Sequence, residues 1–254
     1  MIFLCQHNQF IQQTKRLSEQ LNIPWSDQIT GHSCFLSFTE TGLSYCDNEL
    51  DCGNLLIDFN HGKLAHRIQN QHDNHHKQPL AKAIGTKKRP IVVDATGGLG
   101  KDAFILASLG CQVTIIERSP ILYALLFDAL KRAQQDLSTE SIVKNIQLIN
   151  ADSKQLIASD FFLLNNQAID VIYMDPMYPK RNKSAKVKKE MQIIQKLVGK
   201  DEDSADLFEI CLNIATKVVV KRPKTAQPIT QKKADYNVVN KNTRYDVYLG
   251  TVRT

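Results

Sequence analysis

The fold is decided by one stretch of the chain, Pro90-Ile91-Val92-Val93-Asp94-Ala95-Thr96-Gly97-Gly98-Leu99-Gly100. It begins with a short apolar run that is typical of a buried strand in a parallel sheet. The glycines that follow let the backbone turn sharply and come close to a ligand. Residues 102–109 then form an apolar stretch of helical length. The order strand, glycine loop and helix predicts the first unit of a nucleotide-binding α/β sheet.

Strands and helices alternate from this loop to the C-terminus. We predict further strands at residues 112–116, 146–149, 169–174 and 218–220, and helices at 120–135, 153–164 and 203–216. Two closing strands, 236–240 and 245–249, lie on either side of a polar turn and predict a hairpin. We therefore expect a Rossmann-like, seven-stranded, mostly parallel sheet of the α/β class with a C-terminal antiparallel hairpin.

Residues 1–85 have a different character. They hold all seven histidines, and their apolar runs are short. Strands are expected at residues 36–38 and 55–59, a helix at 9–21, and an exposed polar loop at 70–77. We predict a small N-terminal α/β cap over residues 1–85 and a main Rossmann-like domain over residues 86–254.

Composition excludes several classes of protein. The chain has 254 residues, 43% of them hydrophobic and 23% charged, which is typical of a globular protein. Because no run of 18 apolar residues and no signal-peptide pattern occurs, we expect a cytoplasmic protein without a membrane span. None of the six cysteines forms a C-x-x-C pair, so buried thiols are expected. The histidines at 72, 75 and 76 lie in a polar segment without a neighbouring cysteine, which is more typical of a loop than of a metal site, and we predict no metal.

The glycine loop is accompanied by acidic residues that suit a nucleoside cofactor. Asp94 begins the loop, and Glu117 ends the next strand, where a carboxylate can accept both ribose hydroxyls. Asp152 follows the third strand, where it could read an adenine amine. The loop is neither G-x-G-x-x-G nor a Walker A motif. The pattern resembles class I S-adenosylmethionine-dependent methyltransferases, with a nicotinamide dinucleotide site or a glycine turn that serves packing alone as alternatives.

A second motif, Met174-Asp175-Pro176-Met177-Tyr178-Pro179, ends the predicted fourth strand. It resembles the (D/N)-P-P-(Y/F) loop of enzymes that methylate exocyclic amines of bases, with Met177 in place of the second proline. A carboxylate and a backbone carbonyl can each accept one amine hydrogen bond and aim the nitrogen lone pair at the methyl donor. We predict a catalytic role for Asp175, Pro176, Met177 and Tyr178, with Tyr178 stacking on the base. The alternative is an ordinary strand-to-loop turn.

Basic residues cluster directly after this loop. Residues 180–189 carry six basic residues and no acid, and residues 217–224 carry four more in a chain of net charge +6. Like charges this close repel one another unless a polyanion binds, so a phosphate-gripping surface is predicted, with a solvated loop as the alternative. The candidate RNA contacts are Lys180, Arg181, Lys183, Lys186, Lys188, Lys189, Lys221 and Arg222, together with His66 and Arg67 as a weaker second group.

Together these motifs resemble the RsmJ family, the small-subunit ribosomal RNA (guanine-N2-)-methyltransferases. The resemblance runs from about residue 55 to the C-terminus, whereas residues 1–50 match poorly. It rests on residues 93–104, 116–120 and 173–179, and further matches lie at 180–191, 197–199 and 218–223.

The resemblance implies methyl transfer from S-adenosylmethionine to N2 of one guanosine in the 3′ region of 16S ribosomal RNA. It also implies cofactor contacts from Lys101, Asp102, Glu117, Arg118, Asp152, Ser153 and Asp175, beside Asp94, Gly97, Gly98 and Gly100 of the loop. Departures from the family pattern exist. Lys101 stands where the family has arginine, Asp152 where serine is frequent, and Tyr178 where phenylalanine is frequent.

Two other functions remain open at this point. An adenine-N6 or cytosine-N4 methyltransferase would use the same loop chemistry on a different amine. A non-catalytic RNA-binding assembly factor could retain the fold. The expected partner is 16S ribosomal RNA or the small ribosomal subunit, with no membrane, no metal and a monomeric state by default.

Overall fold

The chain forms two β-sheets that are joined by helices. The computed structural model describes residues 1–29, 31–50, 53–69, 75–159, 161–164, 169–177, 189–199 and 203–251. Tyr178 and the predicted basic contacts from Lys180 to Lys188 lie outside these residues. Within the described part of the chain, no helix is long and apolar enough to cross a membrane.

The first sheet is built from the N-terminal region. Its strands are β1 (Ile2–Leu4), β2 (Trp25–Ser26), β3 (Cys34–Thr39), β4 (Gly42–Asp47) and β5 (Leu55–Leu56). They lie in the order β2-β1-β3-β4-β5, with β1 parallel to β2 and β3 and the remaining pairs antiparallel. Helix α1 (Ile11–Leu21) connects β1 to β2 and ends at Asn22, which adopts the left-handed conformation.

The N-terminal sheet packs on the main sheet through a shared hydrophobic core. Helix α5 of the main fold, Pro120–Gln134, lies against strand β4. Asp128 on this helix accepts hydrogen bonds from the Leu43 backbone N–H at 2.9 Å and from Arg132 Nε at 2.8 Å. Because both sheets contribute to one core, the predicted domain boundary at residue 85 stays a prediction.

Two short helices lead from the first sheet to the second. They are α2 (Gly62–Gln69) and α3 (Pro79–Ile84), and α3 starts with proline and ends at Gly85 with φ +82°. Between them a 3₁₀ turn spans His75–Lys77, where His76 Nδ1 lies 2.7 Å from Thr86 Oγ1. The sequence predicts an exposed polar loop over residues 70–77. Residues 70–74 lie outside the described part of the chain, and the His76 contact ties the turn at residues 75–77 to the main fold.

The second sheet confirms the predicted Rossmann-like fold. Its strands are β6 (Ile91–Asp94), β7 (Gln112–Glu117), β8 (Ile146–Asn150), β9 (Val171–Met174), β10 (Lys217–Pro223), β11 (Tyr236–Val239) and β12 (Thr243–Leu249). The order is β11-β12-β10-β9-β6-β7-β8. Strands β6 to β10 run parallel to their neighbours in this set, whereas β12 is antiparallel to both β10 and β11.

Helices cover both faces of this sheet. They are α4 (Lys101–Ser108), α5, α6 (Glu140–Val143), α7 (Ser153–Ala158), α8 (Phe161–Leu164), α9 (Lys189–Val198) and α10 (Ser204–Leu212). The start of α5 follows from its sequence, because Pro120 occupies the first turn and the Ser119 side chain accepts a hydrogen bond from the Leu122 N–H. Two hydrophobic clusters, one on each face, fill the space between helices and sheet.

Several elements differ from the sequence prediction. The single helix expected over residues 153–164 is two helices, because Ser159 is extended and its hydroxyl donates to the Leu156 carbonyl. Helix α9 was not predicted, because the basic run before it obscured its apolar face. Strands β1, β2 and β4 were also missed, and the strand expected at 55–59 ends at Leu56.

Candidate active site

The glycine loop after β6 is shaped by close approach to its neighbours. A Cβ atom on Gly97 would lie 2.8 Å from Ile115 Cγ2 and 3.1 Å from the Ile116 carbonyl oxygen. A Cβ on Gly100, which has φ +66°, would lie 2.7 Å from Leu126 Cδ2. These two glycines therefore permit packing of the loop against β7 and α5. The packing role, which the sequence left as an alternative, is therefore present at Gly97 and Gly100, whereas Gly98 lines the cleft.

Gly98 connects this loop to the acidic residue at the end of β7. Its N–H donates a 2.7 Å hydrogen bond to Glu117 Oε2, and the Ser119 N–H donates to Glu117 Oε1 at 2.7 Å. The Glu117 residue is 5% exposed, so two backbone donors hold its carboxylate in a fixed orientation. Each carboxylate oxygen can accept a further hydrogen bond, which is what a ribose diol requires.

The third acidic position lies at the start of α7. Asp152 caps this helix, with its Oδ1 accepting a hydrogen bond from the Gln155 N–H at 3.1 Å. The neighbouring Ser153 hydroxyl donates to the Ala95 carbonyl at 2.7 Å and so ties α7 to the glycine loop. Asp152 is thereby held beside the cleft, in a position to accept a hydrogen bond from an adenine amine.

These elements enclose a cleft at the carboxyl edge of the sheet, with about 650 Å³ of empty space including the part open to solvent. Its polar lining includes Thr96, Gly98, Glu117, Arg118, Asp152, Ser153 and Asp175. Its apolar lining includes Ile116, Met177, Ile194, Val198 and Leu207. A buried, oriented carboxylate at one end and apolar walls along the side fit an adenosine, so the residues present suit S-adenosylmethionine.

Helices α9 and α10 contribute to this cleft, and the sequence did not indicate it. Ile194 and Val198 from α9 and Leu207 from α10 form apolar wall. Arg118, a predicted cofactor contact, lines the cleft and has its Nη1 3.3 Å from Asp203 Oδ1 just before α10. The spacing of apolar residues in α9 was the sequence signal that could have indicated this helix. Ile193 and Ile194 on its apolar face are buried, whereas Glu190 is exposed.

Lys101 and Asp102, implied as cofactor contacts by the family resemblance, are directed elsewhere. Lys101 Nζ lies 2.8 Å from Glu190 Oε2 at the start of α9. Asp102 accepts hydrogen bonds from the Tyr173 hydroxyl at 2.6 Å and from Lys221 Nζ at 2.8 Å. From the first turn of α4, Lys101 points toward α9, and Asp102 points toward strands β9 and β10. Neither side chain lines the cleft.

Asp175 lies where β9 ends, beside the glycine loop. Its N–H donates to Thr96 Oγ1 at 2.7 Å, and its Oδ2 lies 2.8 Å from Lys221 Nζ. Pro176 and Met177 follow it and line the cleft. Desolvation raises the pKa of Asp175, and the neighbouring carboxylate of Asp102 raises it further. The ammonium of Lys221 lowers it in part. Because the open cleft leaves 42% of the Asp175 side chain exposed, solvent weakens the desolvation effect.

Lys221 stands between two carboxylates. Burial by itself would lower the pKa of Lys221, but Asp175 and Asp102 outweigh burial and raise it, so the side chain is an ammonium. The strand register explains the contact, because Val220 on β10 pairs with Met174 on β9 and the next residue of each strand is Lys221 or Asp175.

Asp94, the first acid of the loop, is buried beneath it. Only 2% of the residue is exposed, and its Oδ1 accepts hydrogen bonds from the Thr96 N–H at 3.1 Å and the Thr96 hydroxyl at 3.4 Å. Burial raises the pKa of Asp94 to about 8, and the neighbouring acids Asp102, Asp175 and Glu117 act in the same direction. Asp94 organises the loop from below and does not line the cleft.

The predicted RNA contacts of β10 need correction. Arg222 is 6% exposed and donates to the Gln227 carbonyl at 2.7 Å through Nη2, so in this conformation it does not present a guanidinium to a phosphate. Lys221 is engaged by two carboxylates. Both were assigned to RNA because a charge run in sequence does not reveal which strand face each side chain occupies.

The second predicted group of RNA contacts lies on α2. His66 is exposed there, and Arg67 is half-buried and hydrogen-bonded to Gln78. Within the residues that the structure describes, no group of three or more His, Cys, Asp or Glu side chains is arranged to hold a metal ion.

Comparison with known proteins agrees with this geometry. A family described as "Putative SAM-dependent methyltransferase" matches residues 16–250. The ribosomal RNA small subunit methyltransferase J of Desulfotalea psychrophila is 46% identical over 243 residues, covering 92% of this chain and 90% of that protein. The protein of the same name from Hydrogenovibrio crunogenus is 49% identical over 200 residues, covering 77% of this chain and 70% of that protein.

A solved structure also matches over the full length. The crystal structure of a SAM-dependent methyltransferase from Neisseria gonorrhoeae has a TM-score of 0.80 and 26% identity, covering 100% of this chain and 98% of that one. The matches extend upstream of residue 50, further than the sequence motifs suggested. By the family match, the relatives and the shared fold, this chain belongs to the ribosomal RNA small subunit methyltransferase J family of S-adenosylmethionine-dependent methyltransferases.

Proposed function

We propose that the protein transfers the methyl group of S-adenosylmethionine to N2 of a guanosine in the 3′ region of 16S ribosomal RNA. The observation that carries the proposal is the position of Asp175. Its carboxylate stands at the carboxyl end of β9, at the edge of a cleft whose other end holds Glu117 and Asp152. The names of the relatives support ribosomal RNA of the small subunit as the substrate.

The cofactor side of the site is assigned to the cleft. Glu117 accepts the ribose hydroxyls, and Asp152 accepts a hydrogen bond from the adenine amine. Gly98 and Thr96 lie along the cleft between these acids and Asp175, on the side proposed for the methionine part. When bound, S-adenosylmethionine supplies an electrophilic methyl group on a sulfonium. The apolar wall from α9 and α10 excludes water from this group.

The substrate side is assigned to the loop after β9. The lone pair of an aromatic amine is delocalised into its ring, so the amine is a weak nucleophile. Asp175 accepts one N–H hydrogen bond and the backbone carbonyl of Pro176 accepts the other, which aims the nitrogen lone pair at the methyl carbon. The carboxylate also stabilises the positive charge that develops on nitrogen. Tyr178 is proposed to stack on the base.

The RNA backbone is proposed to lie on the basic segment that directly follows this loop. Lys180, Arg181, Lys183, Lys186, Lys188 and Lys189 are the assigned phosphate contacts. They begin two residues after Tyr178, so they would flank the target nucleotide. His66 and Arg67 on α2 form a second contact. A ribosomal substrate is consistent with a cytoplasmic location.

The experiment that tests this function uses radiolabelled S-adenosylmethionine with small ribosomal subunits that lack the modification, and in parallel with naked 16S RNA. The RNA is digested and the nucleosides are separated. We expect label in N2-methylguanosine, and the better substrate shows whether assembly precedes methylation. Label in N6-methyladenosine or N4-methylcytidine would contradict the base assignment and leave the cofactor site intact.

A variant separates catalysis from binding. Asp175→Ala should abolish methyl transfer while leaving RNA affinity nearly unchanged, because the phosphate contacts lie elsewhere. If the wild-type protein binds small subunits but transfers no methyl group to any RNA, the enzymatic assignment is wrong and an assembly role replaces it.

A further inference from the structure

Lys221 occupies an unusual position for a residue of a basic segment. Its Nζ lies 2.8 Å from Asp175 Oδ2 and 2.8 Å from Asp102 Oδ2, and 27% of its side chain is exposed. The Tyr173 hydroxyl donates to the same Asp102 oxygen at 2.6 Å. A series of hydrogen bonds therefore links Tyr173, Asp102, Lys221 and Asp175. It leads from the interior of the sheet to its carboxyl edge, where methyl transfer is proposed.

We propose that Lys221 is a positioning residue for methyl transfer, which holds Asp175 ionised and oriented as a hydrogen-bond acceptor. This inference rests on the proposed function of Asp175. It goes beyond that function because it explains how the Asp175 carboxylate is kept ionised and correctly oriented. Asp102 and Tyr173 act one step further back. They fix the ammonium of Lys221 from the side opposite Asp175.

The need for such a cation follows from the charges around Asp175. Three carboxylates converge here, Asp94 at the end of β6, Asp102 on α4 and Asp175 itself. Asp102 raises the pKa of both Asp94 and Asp175, and Asp175 raises the pKa of Asp94. Their mutual repulsion favours a proton on one of them. A protonated Asp175 would offer a donor where the target amine needs an acceptor. The ammonium between Asp102 and Asp175 opposes this tendency, although the pKa of Asp175 stays above its ordinary value.

Other titratable and charged groups face these carboxylates from the elements packed around them. Tyr173 on β9 and Tyr245 on β12 both have raised pKa values, first because of burial and then because of the carboxylates, so they stay neutral donors. Arg222 on β10 and Arg67 on α2 act at longer range, Arg222 on Asp175 and Arg67 on Tyr245. Among the described contacts of Asp175, Lys221 is the cation at hydrogen-bond distance.

The geometry distinguishes this role from phosphate binding. Two of the three ammonium hydrogens of Lys221 are directed to carboxylates, and swinging the side chain toward RNA would leave Asp102 and Asp175 facing each other. A phosphate contact would make Lys221 contribute to the salt dependence of RNA affinity. A positioning role predicts no such contribution.

The first test measures the protonation of Asp175 without substrate or cofactor. The carboxyl carbon of Asp175, assigned with the Asp175→Asn variant, is titrated by ¹³C NMR in the wild type and in Lys221→Met. We expect the Asp175 pKa to rise in Lys221→Met. The matched control is Lys217→Met on the same strand, because Lys217 Nζ donates to the Ile84 carbonyl at the opposite end of β10. The control should leave the Asp175 titration unchanged.

A second variant tests the opposite sign and guards against misfolding of the first. Asp102→Asn removes one negative charge beside Asp175 and leaves Lys221 in place, so the Asp175 pKa should fall. If Lys221→Met and Asp102→Asn both leave the Asp175 titration at its wild-type position, the proposal is wrong.

The functional readout is the pH profile of kcat for methyl transfer at saturating RNA. In Lys221→Met the acidic limb should move to higher pH, because Asp175 is protonated over a wider range, and Lys221→Arg should restore much of the profile. The slope of RNA affinity against salt should be unchanged in Lys221→Met. A reduced slope with an unmoved pH profile would return Lys221 to the RNA interface. Absence of methyl transfer by the wild type would instead overturn the proposed function, while the NMR titrations would still decide the role of Lys221.

Discussion

Glu117 Oε2, at the carboxyl end of β7, accepts a 2.7 Å hydrogen bond from the backbone N–H of Gly98 in the loop after the neighbouring strand β6. This contact joins the two most informative positions of the sequence. Gly98 has φ +56°, a conformation that suits glycine, and in it the N–H points at the acid. The proposed cofactor site is therefore organised without a ligand, because the loop already fixes the carboxylate to which we assign ribose binding.

The first prediction concerns cofactor affinity. Replacing Glu117 with alanine removes the proposed ribose acceptor and the partner of two backbone donors. We expect the Kd for S-adenosylmethionine to rise roughly 10- to 100-fold, which corresponds to about 1.5–3 kcal/mol for hydrogen bonds to a charged group. Isothermal titration calorimetry measures the change. Glu140→Ala on α6, where Glu140 pairs with Lys144 at the surface, is the control and should bind normally.

The second prediction separates the roles of the glycines. Gly97→Ala would place a methyl group 2.8 Å from Ile115 Cγ2 and 3.1 Å from a backbone oxygen, so the loop must shift. We expect about 1–3 kcal/mol of destabilisation from overpacking, together with weaker cofactor binding. Gly62→Ala is the comparison: its Cβ would meet nothing within 4 Å, so it reports the backbone cost of φ +76° alone and should leave cofactor affinity unchanged. Chemical denaturation measures the stability of both variants, and calorimetry measures their affinity for S-adenosylmethionine. Equal stability of Gly97→Ala and the wild type would contradict the close-packing role, and equal cofactor affinity would show that this packing does not shape the cofactor site.

The parts of the site that the sequence predicted are those set by local order along the chain. Asp94, Glu117, Asp152 and Asp175 each follow a strand of the parallel sheet, and the carboxyl ends of parallel strands meet at one edge. Their convergence required no knowledge of loop conformation.

The roles that the sequence missed depend on register and packing between distant elements. In the sequence, Lys221 belongs to a run of basic residues. Its contact with Asp175 depends on the register between β10 and β9, which no local sequence pattern predicts. Arg222, one residue later on the same strand, is buried for the same reason. Of the three missed strands of the N-terminal sheet, β1 and β2 have only three and two residues. Strand β4 is buried at every position although its sequence, Gly42–Asp47, mixes polar and apolar residues.

The third prediction concerns the anchoring of α9. Lys196 Nζ lies 2.7 Å from Asp47 Oδ2, whose side chain is fully buried at the end of β4. Lys196→Met leaves this carboxylate with the Tyr45 hydroxyl and the Glu49 N–H as partners. We expect a loss of about 1–3 kcal/mol in the free energy of unfolding and weaker cofactor binding, because α9 forms a wall of the cleft.

Lys144→Met is the matched control for this variant. It removes an exposed pair between residues four apart on the surface, which contributes at most about 0.5 kcal/mol. Urea denaturation compares the two. If Lys196→Met is no more destabilising than Lys144→Met, the ion pair does not anchor α9.

The fourth prediction concerns pH. The pKa of Asp94 is about 8 in the folded protein, and an unfolded aspartate titrates near 4. Between these values the folded state binds a proton that the unfolded state has released, so Asp94 makes stability fall as pH rises through this window. Asp94→Asn removes that contribution. Relative to the wild type, the variant should gain stability as the pH rises from about 4 to about 8, as measured by urea unfolding at several pH values. Parallel pH dependences in the two proteins would show that Asp94 is ionised in the native state.

The fifth prediction concerns the basic segment after the catalytic loop. Changing Lys186, Lys188 and Lys189 together to alanine removes up to three phosphate contacts. For single-stranded RNA the slope of log affinity against log salt changes by roughly 0.7 per contact, so it should become shallower by up to about 2. Affinity should fall at low salt, while binding of S-adenosylmethionine should stay unchanged.

A matched triple variant makes this prediction specific. Lys82, Lys87 and Lys88 lie on α3 and before β6, near the amino ends of the strands and opposite the cleft. Their replacement by alanine changes the net charge by the same amount. If only general electrostatic attraction acts, both triple variants lower RNA affinity and the salt slope equally. A loss confined to the first variant places the RNA backbone at the carboxyl edge of the sheet, next to Asp175, as the proposed reaction requires.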